Sequence, residues 1–384
     1  MRFIHTADWH LGRILHQVHL TQDQAHVLDQ LEALARESRA DALLIAGDVY
    51  DRAVPPPDAV GLLDDFLSRM VLGLKVPVVL IAGNHDSPER LGFGARLHAA
   101  GGLHLAGRLS ADPPAVEFHD RFGPVLVHAL PYAEPAFVRE RLDRDTICDH
   151  DSAMSALLDR VRESRPSGAR SILVTHAFVA GGEECESERH LTVGGTGTVG
   201  PGRFEGFHYV ALGHLHRAQA MSGNRLQYSG SLLKYSFSEA NQPKSVHVVE
   251  MDARGDCAVE RVALTPRRDV RCIRGTMKEL LAGPASGESR EDYITAVLTD
   301  PEPVLDAMGK LSAVYPNLLH IDRTYLASGG ENCRPGADHR RLGDAELFSA
   351  FFSQVTGEEL TGEEKKSFAG IVDTLRQRER EADR

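Results

Sequence analysis

The 384-residue sequence predicts an α/β fold on a mixed sheet, and three observations carry that expectation. Short apolar runs at 2–7, 41–47, 77–83, 124–130, 170–175 and 208–213 alternate with longer amphipathic stretches, as strands separated by covering helices do. After 208–213 the apolar runs shorten and follow one another directly through 225–228, 245–251 and 257–264, so the sheet should finish in antiparallel hairpins. The length exceeds one ordinary domain and leaves room for a large domain with smaller appendages.

Among the connections, Thr21 to Ser38 spaces Leu28, Leu31, Leu34 and Ala35 at helical intervals, with Thr21 as the expected N-cap. Pro57 to Leu72 carries Leu62, Leu63, Phe66 and Met70 in the same way. Thr265-Pro266-Arg267-Arg268 reads as a linker, after which 270–326 reads as strand (270–275), helix (276–282), strand (292–299), helix (302–314) and strand (318–326). A Gly-rich linker at 328–341 then leads to two amphipathic segments. These are 342–355 with Leu347, Phe348, Phe351 and Phe352, and 361–377 with Phe368, Ile371 and Leu375. The expected division is 1–266, 267–328 and 329–384. Two short helices with apolar stripes need another surface to bury against, either the preceding unit or a partner.

Hydrophobic residues make up 42% and charged residues 26%, the balance of a globular chain. A net charge of −12 argues against a polycationic nucleic-acid binder, but leaves room for an enzyme whose positive charge comes from bound metal ions. Five widely spaced cysteines, none in a C-x-x-C pair, point neither to a disulfide framework nor to a structural zinc site. With no signal-like N-terminus and no apolar run long enough for a membrane span, the expectation is a cytoplasmic, nucleoid-associated protein with no membrane contact.

Phosphodiester hydrolysis near neutral pH needs an activated water and a Lewis acid on the phosphoryl oxygens, which two divalent ions about 4 Å apart can supply. Ligands for such a pair follow successive strands here. Asp8 and His10 follow 2–7, Asp48 follows 41–47, Asn84 and His85 follow 77–83, His176 ends 170–175, and His214 and His216 follow 208–213. Each motif alone has a bland reading, as a turn after a strand or as chance in a chain with 19 histidines. Their conjunction at the same end of successive strands is the usual address of a site in α/β sheets. Carboxylate, imidazole and amide oxygen together suit Mn²⁺ or Fe²⁺ better than a thiolate-seeking metal.

In order, D-x-H, G-D-x-x-D, G-N-H-D, a later isolated His and G-H-x-H match the pattern of the calcineurin-like metallophosphoesterases, which the sequence strongly resembles over residues 1–235. The resemblance implies a four-layer αββα sandwich with mixed sheets. It implies one ion held by Asp8, His10, Asp48 and His216 and another by Asp48, Asn84, His176 and His214, with Asp48 bridging. His85 would be catalytic as the donor of a proton to the departing oxygen, with Asp51 fixing its tautomer.

Within that superfamily, the stretches RFIHTADWHLGR, AGDVYDRAVPPPDAV, AGNHDSPERL, YVALGHLHRAQ and YSGSLLKYSFSE are similar to the SbcD family of nuclease subunits in bacterial SbcCD complexes. That likeness implies a DNA nuclease with two Mn²⁺ ions, exonuclease on duplex ends and endonuclease on single strands and hairpins, serving DNA repair, recombination and replication. The 270–326 unit would be its α/β cap, and the C-terminal helix pair would dock an SbcC-like coiled-coil ATPase. A homodimer within a heterotetramer is also implied. Leu62, Leu63, Phe66 and Met70 are then either core or, with Leu91, Phe93 and Leu97, part of the dimer face. The competing activity is a phosphoprotein or cyclic-nucleotide phosphatase on the same fold.

Lesser candidates remain. Arg52, Ser231 and Tyr235 are the expected substrate contacts, although a salt bridge for Arg52 and a turn at Gly230 explain them equally well. Trp9 either braces its loop or stacks on a base. The insert from Gly181 to Phe207, with Glu183, Glu184, Glu186, Glu188 and Arg189, reads as a loop at the rim of the site with no role assigned to any one residue.

Overall fold

The computed structural model describes residues 1–110, 115–188, 197–302, 304–323, 348–349, 352–353, 356 and 359–382. They fall into two compact units, Met1–Arg271 and Cys272–Arg384.

In the first unit, one six-stranded sheet runs in the order Cys257–Ala263, Ser245–Met251, Arg2–Thr6, Ala42–Ile45, Val78–Ile81, Leu103–Ala106. The last four strands are parallel, and Ser245–Met251 returns antiparallel between Arg2–Thr6 and Cys257–Ala263. A second six-stranded sheet has the order Gln219–Ser222, Leu226–Tyr228, Tyr209–Gly213, Arg170–His176, Gly123–Leu130, Ala115–Asp120. Its four central strands are parallel and an antiparallel strand closes each edge.

Side chains alternate across each strand, and the burial follows that period. Phe3, Leu44, Val79 and Ile81 of the first sheet share one cluster with Val127, Ile172, Val174, Tyr209 and Ala211 of the second, which stacks the sheets face to face. On the second sheet's other face, Leu173, Val210 and Leu212 pack with Leu157, Leu158 and Val161 of the helix His150–Ser164. An Asp149–Ser152 capping box starts that helix. Ile4, Leu43, Ile45 and Leu80, on the first sheet's other face, are fully buried as well. The helices Thr21–Ser38 and Pro57–Ser68 bury Val27, Leu28, Leu31 and Ala35, and Ala59, Leu63 and Phe66. Mixed sheets and helix layers give the four-layer αββα sandwich.

Several readings need correction. The apolar runs belong to two stacked sheets rather than one. Strands buried on both faces read as continuous apolar segments wherever they lie, so nothing local tells the first three from the next three. Thr21 is the first helical residue; Leu20 occupies the cap position and makes no side-chain bond there. The helix from Pro57 ends at Ser68 and continues as a π-helical turn, Arg69–Leu74. Leu63, Phe66 and Met70 are core, whereas Phe93 and Leu97 are 81% and 82% exposed. His5, His128 and His247, which lie in strands, are buried.

In the second unit, which begins at the strand Val270–Gly275, that strand, Tyr293–Leu298 and Leu318–Arg323 form a three-stranded sheet. Met277, Leu280, Ile294, Ala296, Leu298, Leu311 and Tyr315 make its core, and a Thr276–Glu279 capping box starts the short helix Met277–Leu280. The helix Gly362–Ala382 follows Thr361, whose hydroxyl and amide both bond the Glu364 carboxylate. The expected segment 342–355 lies mostly outside the described residues; Phe348, which is described, stacks on Phe368 at 3.9 Å.

Trp9 is fully buried. Its indole N–H donates to Thr6 Oγ1 at 3.0 Å and its ring meets the edge of Phe66 at 5.2 Å, so it braces the loop and has no face open to a base. Removing Phe66 opens a cavity beside that brace. Phe66→Ala should lower stability by about 3–5 kcal/mol, read from urea denaturation in EDTA. A loss below about 1 kcal/mol would place Phe66 outside the core.

Candidate metal centre

The parallel blocks of both sheets end at one edge, and hydrogen bonds stitch those ends together. Asp8 N–H donates to Gly47 O at 3.0 Å, His10 N–H to Asp48 O at 2.9 Å, and His214 N–H to Asp8 Oδ1 at 2.9 Å. His176 Nδ1 lies 2.9 Å from Ala46 O. Four of the candidate ligands hold left-handed backbone angles: Asp8 (φ 54°), His10 (45°), Asp48 (49°) and His214 (109°). Such angles in residues with side chains cost about 1–3 kcal/mol each and persist only where the surroundings impose them.

Glycines make that crowding possible. A Cβ on Gly83 would lie 2.2 Å from Asp48 Oδ1, and one on Gly213 only 1.9 Å from Ala46 O. The glycines before Asn84 and His214 therefore serve close approach between strand ends.

The side chains converge as acceptors. Because a carbonyl only accepts, the Ala46 contact puts the His176 proton on Nδ1. His176 Nε2 then presents a lone pair, yet it faces Asn84 Oδ1 at 2.9 Å and Asp48 Oδ2 at 3.5 Å. His10 Nε2 and His216 Nε2 meet at 3.0 Å, with Asp48 Oδ2 3.7 Å from the former. His214 Nδ1 is 3.2 Å from Asn84 Oδ1. Asp8 Oδ2 and His214 Nε2 are buried with no hydrogen-bond partner among the described residues. Ligand atoms of Asp8, His10 and His216, and of Asp8, Asp48 and His176, each lie within 4.8 Å of one another. The His176 Nε2 lone pair facing Asn84 Oδ1 suits a cation between them, and an oxygen–nitrogen donor set without thiolate fits divalent ions. Asp48, whose Oδ2 faces both His10 and His176, stands where a bridging carboxylate would.

Electrostatics agree. Burial, and then the neighbouring Asp48, holds the Asp8 carboxyl well above the usual carboxylate range. The same two causes push Asp86 up to about 7. Burial, and then neighbouring imidazoles, depresses His10 and His214 well below the ordinary histidine value. The rings are therefore neutral, as ligands must be.

His85, like Asn84, is half-buried, whereas the other candidates are buried. Its N–H donates to Asp48 Oδ1 at 2.9 Å, and its Nδ1 lies 2.8 Å from the Asp51 carbonyl, which fixes the tautomer and leaves Nε2 for chemistry. The orienting atom is thus the Asp51 main chain, whereas the Asp51 carboxylate accepts from Arg13 at 2.8 Å. Arg52 is exposed. Ser231 and Tyr235, unlike Arg52, are buried. Ser231 is fully buried and its hydroxyl donates to Leu233 O at 2.8 Å; Tyr235 is 2% exposed and its hydroxyl donates to Trp9 O.

Sequence reasoning missed several supports. Asp86 accepts from the Gly83, Val49 and Tyr50 amides at 2.9–3.0 Å and so locks two ligand loops together; its place as the last residue of GNHD was the available signal. Gln24 donates to the Trp9 and His10 carbonyls at 3.1 and 2.7 Å, and nothing in its helix marks it. The insert reaches the site directly. Glu188 accepts from His216 N–H at 2.6 Å and Ser187 Oγ lies 2.7 Å from His216 Nδ1, while Arg189 lies outside the described residues.

Since burial and the neighbouring Asp48 favour the protonated forms of Asp8 and Asp86 in the ion-free fold, a divalent ion competes with protons for the site. Raised carboxyl pKa values mean the competition strengthens as pH falls. Mn²⁺ affinity should therefore drop from pH 8 to pH 6, with protons released on binding at pH 6, as calorimetry in two buffers of different ionisation enthalpy would read. Equal affinity at both pH values and no proton release would contradict this charge assignment.

Residues 1–218 match the calcineurin-like phosphoesterase family, and residues 266–356 match a family described as the type 5 capsule protein repressor C-terminal domain. The SbcD subunit of the nuclease SbcCD from Staphylococcus saprophyticus is 32% identical over 375 residues, covering 98% of both chains. Solved structures with a likeness include a calcineurin-like phosphoesterase from Bacillus subtilis (13% identity, 69% of this chain and 90% of that one, TM-score 0.38). Another is a dimetal phosphatase from Danio rerio (15% identity, 69% and 99%, TM-score 0.39). Likeness at that level adds nothing to the assignment, which rests on the family matches. This chain belongs to the calcineurin-like phosphoesterase family, as a metal-dependent phosphodiesterase.

Proposed function

We propose that the chain is a Mn²⁺-dependent DNA nuclease, exonuclease on duplex ends and endonuclease on single strands and hairpins, in DNA repair and recombination. The observation that carries this reading is the likeness over 98% of both chains to a protein named as a nuclease subunit, which extends through the second unit and not only the metal centre. A phosphatase for phosphoproteins or cyclic nucleotides would have the same metal centre, and no feature of the second unit favours it.

Asp8, His10, Asp48 and His216 would hold one ion and Asp48, Asn84, His176 and His214 the other. When bound, the pair supplies Lewis acidity toward the phosphoryl oxygens and lowers the pKa of an attacking water. The protein's own part is positional. The glycine-packed strand ends hold the ligands in place, and the Asp8–His214 and Asp48–His85 amide bonds keep the loops from spreading. His85, with Nδ1–H held by the Asp51 carbonyl, would give the departing oxygen the Nε2 proton of its doubly protonated ring and be left neutral with its remaining proton on Nδ1.

As partner we propose an SbcC-like coiled-coil ATPase, bound through the C-terminal helices, with two copies of each subunit assembled about a dimer of this chain. The exposed Phe93 and Leu97 support a dimer face in the first unit, and the net charge of −12 supports reliance on the partner for much of the affinity for DNA. No helix among the described residues is long and apolar enough to cross a membrane, and we propose a cytoplasmic, nucleoid-associated location.

With Mn²⁺ the purified chain should cleave single-stranded or hairpin DNA, EDTA should abolish cleavage, and His85→Ala should slow it by about 10²–10⁴-fold while Mn²⁺ and DNA binding persist. Hydrolysis of phosphopeptides or cyclic nucleotides without any cleavage of DNA would overturn the nuclease reading. Deleting 342–384 should end co-purification with the ATPase; undiminished binding by the truncated chain would move the docking surface elsewhere.

A further inference from the structure

Among the site histidines, His216 is held by a buried chain of side chains. His176 and His85 direct Nδ1 at main-chain carbonyls, of Ala46 and Asp51, which no substitution can remove. His216 Nδ1 instead faces a side chain, Ser187 Oγ, at 2.7 Å. The same hydroxyl lies 2.5 Å from Glu239 Oε1. Glu239 is fully buried, and its carboxylate is paired with Lys244 Nζ at 2.5 Å and accepts from Tyr235 N–H at 3.1 Å. Lys244 in turn donates to the His216 carbonyl at 2.8 Å, so the network begins and ends on one residue.

Hydrogen-bond counting sets the direction of this chain. A carboxylate salt-bridged to lysine only accepts, so the single Ser187 proton goes to Glu239. The Ser187 oxygen can then only accept from His216, which places the imidazole proton on Nδ1. His216 Nε2 is left with its lone pair, aimed at the point where it meets His10 Nε2 at 3.0 Å. We propose that Ser187, held by Glu239 and Lys244, is a positioning residue that locks His216 in the tautomer able to bind metal, so that the first part of the insert, at Ser187 and Glu188, belongs to the metal centre's support. This rests on the two-ion reading of the site and deepens it. The insert's Glu188 adds a second hold, on the His216 amide.

The test reads the ring proton and the ion, with no nucleic acid present. In the full chain labelled with ¹⁵N-histidine, the metal-free His216 signals, assigned by their loss in His216→Gln, should carry the Nδ1–H pattern. Ser187→Ala should lose that pattern and bind Mn²⁺ about 10–100-fold more weakly, the usual cost of removing a partner behind a metal-ligating histidine. Ser187→Thr, which keeps a hydroxyl, should restore both. If alanine loosens the loop, Ser187→Cys keeps the volume with a weak acceptor and should behave as alanine does. An Nδ1–H pattern and parental Mn²⁺ affinity in the alanine or cysteine variant would overturn the proposal, as would a threonine variant as weak as alanine. None of these outcomes bears on whether DNA is the substrate, which the cleavage assay decides separately.

Discussion

Two carboxyl groups, Asp8 and Asp48, and four histidines are buried against one another where two sheets end, beside the half-buried Asn84, with acceptor atoms turned toward one another. Left alone, that arrangement is costly, because buried acceptors without donors lose their hydration and gain nothing in exchange. The fold around it makes sense as a means of imposing the arrangement. Left-handed angles at Asp8, His10, Asp48 and His214 turn the side chains inward, and Gly83 and Gly213 let strand ends approach within distances that a methyl group would block. Divalent cations convert the cost into binding energy, so that metal affinity and local stability become one quantity.

The two sheets have distinct parts in this. Each contributes a parallel block whose carboxyl ends carry ligands, and the first supplies Asp8, His10, Asp48, Asn84 and His85 while the second supplies His176, His214 and His216. Contacts across the seam, His214 N–H to Asp8 and His176 to the Ala46 carbonyl, make the site a joint between sheets as much as a pocket. Burial of both sheets' inner faces in a shared apolar cluster keeps that joint rigid, which a site dependent on sub-ångström ligand placement requires.

What could be read from sequence follows physical lines. Apolar runs buried on both faces marked strand positions closely, and the candidate ligands stood out because each directly follows such a run. Pairing across long sequence separations left no local trace, as in Ser245–Met251 returning beside Arg2–Thr6 to complete the first sheet. Nor did the supports that act through backbone atoms: the Asp51 carbonyl, the amides gathered by Asp86, and the carbonyls held by Gln24. Nor did sequence show the internal bonds of Ser231 and Tyr235, singled out for their closeness to the H-x-H motif: both are buried, and Tyr235 tethers the Trp9 carbonyl.

The central claim is that these groups form one centre for two ions bridged by Asp48. Anomalous diffraction at the manganese edge, from crystals of the chain grown with Mn²⁺, tests it directly. The account predicts two peaks about 4 Å apart, one beside His10 and His216 and the other beside Asn84, His176 and His214, with Asp48 between them. A single peak, or two peaks that do not share Asp48, would contradict it.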